Sequence, residues 1–227
     1  MKKNILITGA AGNLGKAAVE KFVSEGHRVI AMVSPGKTAV FGNNVVTYQA
    51  DLSNEKLVEE VIARMIAEHK TIDAAILTVG GYAGGSIDAT HGAAIQKMIT
   101  LNFNTAYFVV RPVFQHMVKL GSGRIILIGA RPALKATDGK RNVAYALSKT
   151  LVFKLAELLN AEASGKDIVA SVIVPSTIDT PENRSAMPDA DFSKWVKPED
   201  IAEAMYYLVT EKGRALREPV LKMYSSA

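Results

Sequence analysis

Apolar runs rich in Val and Ile alternate along this chain with stretches of helical period, and that alternation leaves few folds open to it. The runs are "NILITG" (4–9), "RVIAMV" (28–33), "VVTYQAD" (45–51), "IDAAILTVGG" (72–81), "GRIILIGA" (123–130), "DIVASVIVP" (167–175) and "PVLKMYS" (219–225). Helical periodicity falls near 13–25, 54–69, 91–119, 142–163 and 198–210. Strands this uniformly apolar belong to a parallel sheet covered on both faces. With right-handed crossovers the result is an α/β doubly wound Rossmann fold on a mostly seven-stranded parallel sheet. No Pro, Gly or Ser-rich linker, repeat or low-complexity segment divides the 227 residues, so residues 1–227 are expected to form one domain.

Composition narrows the chemistry. There is no Cys, which removes disulfides, thiolate metal sites and Cys nucleophiles together. His27, His69, His91 and His116 are widely spaced and carry no ligand motif, so no metal is expected. The net charge of +5 is scattered along the chain and does not form the concentrated basic face of a nucleic-acid binder. "MKKNILITGA" is basic and then apolar, but the run is short and passes straight into glycines, so it reads as a first strand and not a signal peptide. No run approaches the ~18 to 20 apolar residues of a membrane helix, and a cytoplasmic protein with a small-molecule ligand is expected.

Ligands of open parallel sheets bind beyond the carboxyl ends of the strands, and the motifs cluster there. "NILIT" runs into "GAAGNLG", which places Gly9, Gly12 and Gly15 at three-residue spacing before the helical "KAAVEKFVSEG". Glycines let backbone approach a pyrophosphate, and the open amides at Asn13 and Leu14 face its charge. After the second strand, "VIAMVSPGK" has no acidic residue to hold a ribose 2′-hydroxyl, whereas Ser34 and Lys37 are suited to a 2′-phosphate. NADP is therefore favoured, with NAD as the alternative. Asp51, followed by Leu52, is a candidate adenine contact and equally a candidate cap of the next helix.

Tyr145 and Lys149 stand four residues apart on an expected helix and so share a face. A neighbouring ammonium favours phenolate over phenol, so the Tyr145 pKa is expected to fall from about 10 towards neutrality. The spacing alone is common; its place after the fifth strand of a dinucleotide-binding pattern gives it weight.

"TGAAGNLG" (8–15), Asp51, Asn102 in "TLNFNT" and "YALSK" (145–149) together resemble the short-chain dehydrogenase/reductase family over nearly the whole chain. "DAAILTVGGYAGG" (73–85), "IGARPAL" (128–134) and "STIDTPENRSAMPDADFSKW" (176–195) are similar to its quinonoid dihydropteridine reductase branch. The resemblance implies a homodimeric (or tetrameric) reductase that passes hydride from a nicotinamide cofactor to a quinonoid dihydropterin. It makes Tyr145 the acid, Lys149 the ribose ligand that tunes it, and Gly80 and Gly81 neighbours of the cofactor. Tyr82 stands where that branch has a Trp, offering a flat face to substrate. Asn102 follows the wider family, in which this residue positions a proton-relay water. Ile178 and Thr180 fall on a cofactor-contacting loop. Residues 182–197 read as a substrate lid, with Trp195 its apolar anchor beside the substrate.

Ala130 departs from the wider family, which has a Ser there to support the substrate carbonyl. Losing one such donor costs ~10² to 10³ in rate, about 3 to 4 kcal/mol, so Ala130 argues against routine ketone reduction. A quinonoid dihydropterin is a conjugated diimine that aromatises on reduction and needs one acid at nitrogen. Ser148, Thr137 and Ser176 are the candidate replacement hydroxyls. Two alternatives stand beside the pterin reading: a carbonyl or enone reductase of another small substrate, and a non-catalytic NADP(H)-binding sensor.

Overall fold

Among the described residues, seven strands join one sheet in the order β3-β2-β1-β4-β5-β6-β7 with every neighbouring pair parallel. The computed structural model describes residues 2–37 and 39–226. The strands are β1 (Asn4–Thr8), β2 (Arg28–Val33), β3 (Val45–Gln49), β4 (Ala74–Leu77), β5 (Ser122–Ile128), β6 (Asp167–Pro175) and β7 (Val220–Met223). Central residues such as Ile5, Leu6, Ile76 and Ile126 are fully buried, as a sheet covered on both sides requires. The seven apolar runs thus mark the seven strands.

Helices cover the two faces. On one side α2 (Glu55–His69), α4 (Thr105–Leu120) and α7 (Val143–Glu162) bury Val58, Ile62, Val109, Val113, Val152 and Leu155 against Leu6, Ile30, Ile125 and Val172. On the other, α1 (Asn13–Ser24) and α9 (Pro198–Val209) bury Val19, Phe22, Ile201 and Met205 against Ile5, Ile7, Ile126 and Ile173. The chain builds outward from β1 to β3 and then returns to place β4 on the opposite side of β1. Thr8 of β1 therefore lies between Met32 and Leu77, and the crevice at this switch point opens beyond it.

The periodic stretch 91–119 is not one helix. It divides into α3 (Gly92–Ile99), a π-helical turn (Thr100–Asn104) and α4. The wider turn brings Asn102 into the interior, where it is 1% exposed, and the Thr105 hydroxyl donates to the Leu101 carbonyl at 2.7 Å. Such insertions frequently mark functional sites. Polarity at a single position in an otherwise amphipathic run does not reveal them. The cap expected of Asp51 is supplied by Asn54, whose side chain accepts from the Leu57 N–H at 3.2 Å; Asp51 instead accepts from the N–H and hydroxyl of Ser53 at 2.9 and 2.7 Å.

The approach of α1 to β1 depends on Gly15. A Cβ there would lie 2.1 Å from the Gly9 carbonyl oxygen, a backbone atom that cannot move aside. Gly15→Ala is expected to destabilise the protein by about 1 to 3 kcal/mol. Gly92→Ala, where a Cβ meets nothing within 4 Å, should be neutral or stabilising by up to about 1 kcal/mol. Urea denaturation of the two variants checks both; equal destabilisation would contradict the packing argument.

Candidate functional site

The glycine turn between β1 and α1 is shaped by backbone alone. Gly9 has φ of +63°, the Gly12 N–H donates to the Gly9 carbonyl at 2.9 Å, and Gly12 caps α1 without a side chain. The first-turn amides of Asn13, Leu14 and Gly15 thus stay open to an anion. Asn13 Nδ2 donates to Glu182 Oε2 at 2.6 Å, so a carboxylate from beyond β6 rests beside this helix terminus.

Ser34, Asp51 and Leu52 line one open cleft of about 610 Å³ with Val79, Thr100 and Leu101. Ser34–Lys37 forms a tight turn closed by the Lys37 N–H on the Ser34 carbonyl at 3.1 Å, with Gly36 at φ +76°. Lys37 is exposed and next to the cleft without lining it. The Asp51 carboxyl sits below the usual carboxylate range because Ser53 donates to it twice. A glycine cradle at a helix start, running into a cleft of this size, suits an extended dinucleotide.

At the other end of the crevice, Asn102 organises the site. Its Oδ1 accepts from the Gly81 N–H at 2.9 Å, and its Nδ2 donates to the Gly81 carbonyl and to Ser148 Oγ, each at 3.0 Å. Ser148 Oγ donates onward to the Tyr145 carbonyl at 2.8 Å. The loop after β4, the π turn and α7 are thereby locked to one another. A Cβ on Gly80 would lie 2.7 Å from Asn102 Oδ1 and 3.2 Å from Lys149 Nζ, so only glycine leaves the surface beside the lysine clear.

Lys149 is 4% exposed and donates to the Ile128 carbonyl at 2.8 Å. Burial pulls its pKa down to about 8. Tyr145 departs from the sequence expectation: burial, with a smaller contribution from Tyr82, pushes its pKa up to about 12. Desolvation dominates both groups and drives each towards its neutral form. Tyr145 is therefore a phenol, not a phenolate, at neutral pH. Tyr82 is set edge-on to it, with ring centroids 5.2 Å apart.

Ala130 is 4% exposed and precedes α5 (Arg131–Leu134) as its N-cap, a position where Ser is ordinarily preferred. The candidate replacement hydroxyls are engaged or remote. Ser148 is held between Asn102 and the Tyr145 carbonyl, Ser176 donates to the Tyr224 carbonyl at 3.1 Å, and Thr137 is exposed on α6 (Ala136–Gly139). None of these three hydroxyls is free beside Ala130 to take the part of a Ser.

Residues 176–197 fold back on themselves. Ile178 pairs with Val196 in a short parallel bridge, and the Asp179 N–H donates to the Val196 carbonyl at 2.8 Å. Thr180 caps α8 (Pro181–Ala186) by accepting from the Asn183 N–H at 3.2 Å, so its hydroxyl already has a structural task. Asp179 and Arg184 form a two-pronged ion pair at 2.6 and 2.7 Å. Trp195 is buried against Phe192, centroids 4.8 Å apart, and so anchors the segment. Sequence reasoning did not single out Thr78, whose hydroxyl donates to the Thr8 carbonyl at 2.7 Å and crowds Gly9, or Asn142, which bonds Tyr82. Thr78 lies within the quoted stretch 73–85 and Asn142 outside every quoted stretch, and each is brought to the crevice by a partner dozens of residues away.

The buried amine makes stability depend on pH. With a pKa near 8 folded against 10.5 when exposed, the folded chain binds fewer protons than the unfolded chain between those values. Below pH 8 the charged amine destabilises the fold, on the order of 3 kcal/mol, and this is relieved as pH rises from 8 to 10.5. Lys149→Met is therefore expected to melt several degrees above the parent at pH 7, with the gap closing by pH 10. Calorimetry across this range checks it; a parent that melts higher at pH 7 would contradict it.

The sequence profile of the short chain dehydrogenase family matches residues 3–191. Among relatives, the dihydropteridine reductase of Dictyostelium discoideum is 28% identical over 209 residues, covering 91% of this chain and 87% of that protein. The NADP-dependent 3-hydroxy acid dehydrogenase YdfG of Salmonella typhi is 28% identical over 223 residues, covering 91% and 88%. Among solved structures, ElxO with NADP bound superposes with a TM-score of 0.86 at 23% identity, covering 98% of this chain and 97% of that one. With the sheet order, the glycine cradle and the Tyr145–Lys149 helix in place, the match over most of the chain establishes this protein as an oxidoreductase of the short-chain dehydrogenase family.

Proposed function

We infer that the protein is an NADPH-using reductase of a quinonoid dihydropterin or a similar small conjugated substrate. The observation that carries this reading is the composition of the proton-donating end: Tyr145 beside a buried Lys149, with Ala130 where a hydroxyl would support a ketone. When bound, the nicotinamide cofactor supplies a hydride. Gly9, Gly12 and Gly15, with the amides of Asn13 and Leu14, hold its pyrophosphate. Asp51 and Leu52 flank the adenine, and Ser34 and Lys37 meet a 2′-phosphate that no acidic residue repels. The relatives that use NADP support that choice, with NADH as the weaker partner.

Within the chain, Lys149 binds the nicotinamide ribose beside Gly80 and Gly81, and Tyr145 donates its proton to the reduced substrate at nitrogen. With its pKa pushed up to about 12 by burial, Tyr145 holds the proton that the reducing direction requires. Asn102 keeps the Gly80–Gly81 turn in place and is the candidate holder of a relay water. Tyr82 offers its ring to the substrate. The amide of Ile178 and the region of Thr180 approach the cofactor from the segment that Trp195 anchors, and residues 182–197 act as a lid on the single domain. The similarity to a dihydropteridine reductase supports the substrate class. The 3-hydroxy acid dehydrogenase relative favours, as second reading, a carbonyl or enone reductase.

The working unit is a homodimer in the cytoplasm. Leu147, Leu151 and Leu158 recur at helical spacing on α7 and are exposed, an apolar face that a second copy would cover. No helix among the described residues is long and apolar enough to cross a membrane.

Purified protein is expected to oxidise NADPH in the presence of quinonoid dihydrobiopterin, and Tyr145→Phe to slow this at least tenfold, read at 340 nm. Turnover of simple ketones without any pterin-dependent oxidation would overturn the substrate assignment.

A further inference from the structure

Tyr82 is 67% exposed, yet it does not hang free. Its hydroxyl donates to Asn142 Oδ1 at 2.6 Å, and its ring meets that of Tyr145 at 70° between planes. Asn142 stands directly before α7, three residues ahead of Tyr145, and its Nδ2 donates to the Asp138 carbonyl at 3.1 Å. It makes no side-chain cap to α7, so its carboxamide is committed to these two partners.

The backbone repeats the connection. The Gly85 N–H donates to the Arg141 carbonyl at 2.7 Å, and the Val143 N–H donates to the Gly85 carbonyl at 2.9 Å. Gly85 takes φ of +156°, and a Cβ on it would lie 2.9 Å from Thr90 Oγ1. The loop carrying Tyr82 is thus stitched to the start of the Tyr145 helix at two levels, one by backbone and one by side chain. Only the side-chain level fixes the ring, because backbone pairing at Gly85 leaves the Tyr82 side-chain torsions free.

We propose that Asn142 is a positioning residue that holds the Tyr82 ring beside Tyr145 as a preset flat wall, so that planar conjugated substrates are selected. This rests on Tyr145 being the acid. A ring already fixed loses no rotamer freedom when a substrate stacks on it, so the tether acts on binding and not on the chemical step. Without it, Tyr82 becomes an exposed, freely rotating side chain.

The test uses the full-length protein with NADPH and quinonoid dihydrobiopterin. Asn142→Ala and Tyr82→Phe are each expected to raise KM about five- to tenfold with kcat within twofold. The double variant should be no worse than either single one, and Asn142→Asp, which keeps the acceptor, should recover most of the loss. Independently of turnover, tyrosines labelled with 13C at Cζ should show one Tyr82 conformer in the parent and an averaged signal in Asn142→Ala. Unchanged KM and unchanged Tyr82 signals would overturn the proposal, as would a fall in kcat at constant KM, which marks a disturbed α7. If Asn142→Ala does not fold, Tyr82→Phe carries the same comparison. If Tyr145→Phe retains full turnover, the acid assignment fails while the Tyr82 signal still reports on the tether.

Discussion

A single buried carboxamide holds the crevice of this protein in shape. Asn102 spends its oxygen and both amide hydrogens on Gly81 and Ser148, and so ties the loop after β4 to the π turn and α7 at one point. The bond to Ser148 is buried and the two to Gly81 are partly so; a buried donor or acceptor left unmet costs about 1 to 3 kcal/mol. The turn at Gly81 and, through Ser148, the Tyr145 carbonyl are tied to it, while Lys149 is held separately by the Ile128 carbonyl. The π-helical turn that carries Asn102 is what brings a polar residue into a helix face otherwise packed with Phe and Val.

The site built on this clamp is asymmetric in its chemistry. One end offers backbone amides and glycines to an anion; the other offers a desolvated phenol and a desolvated amine. Burial sets both titrations: the Tyr145 hydroxyl is kept protonated and Lys149 is brought close to neutrality. Ala130 adds the deciding feature. A Ser there would suit the helix start that Ala130 precedes, so its absence is not explained by local stability. The proposed function accounts for it, since a substrate that aromatises on reduction needs one proton donor and no second hydroxyl.

Much of this was legible in the residues. Seven Val and Ile-rich runs specify seven strands, because an apolar strand has only one comfortable environment. The spacing of Gly9, Gly12 and Gly15 locates the turn at the switch point. The sequence also brings Tyr145 and Lys149 together, since their spacing is local. What stayed hidden depends on burial or on distant partners. The ammonium at Lys149 suggested a lowered Tyr145 pKa, but residue identity carries no information about desolvation, and desolvation wins. Asp51 reads as an adenine contact or as a helix cap, and Asn54, three residues later, takes the cap. Asn142 stands outside every quoted motif, and its bond to Tyr82 spans 60 positions.

The claim that Ala130 tunes the site to substrates needing a single acid is tested most directly by Ala130→Ser. The ratio of kcat/KM for a simple ketone to kcat/KM for quinonoid dihydrobiopterin should be measured in parent and variant with NADPH. The account predicts that this ratio rises at least tenfold, through the ketone, while the pterin value stays within about twofold. A ratio that does not change, or a pterin rate that rises with the ketone rate, would contradict it.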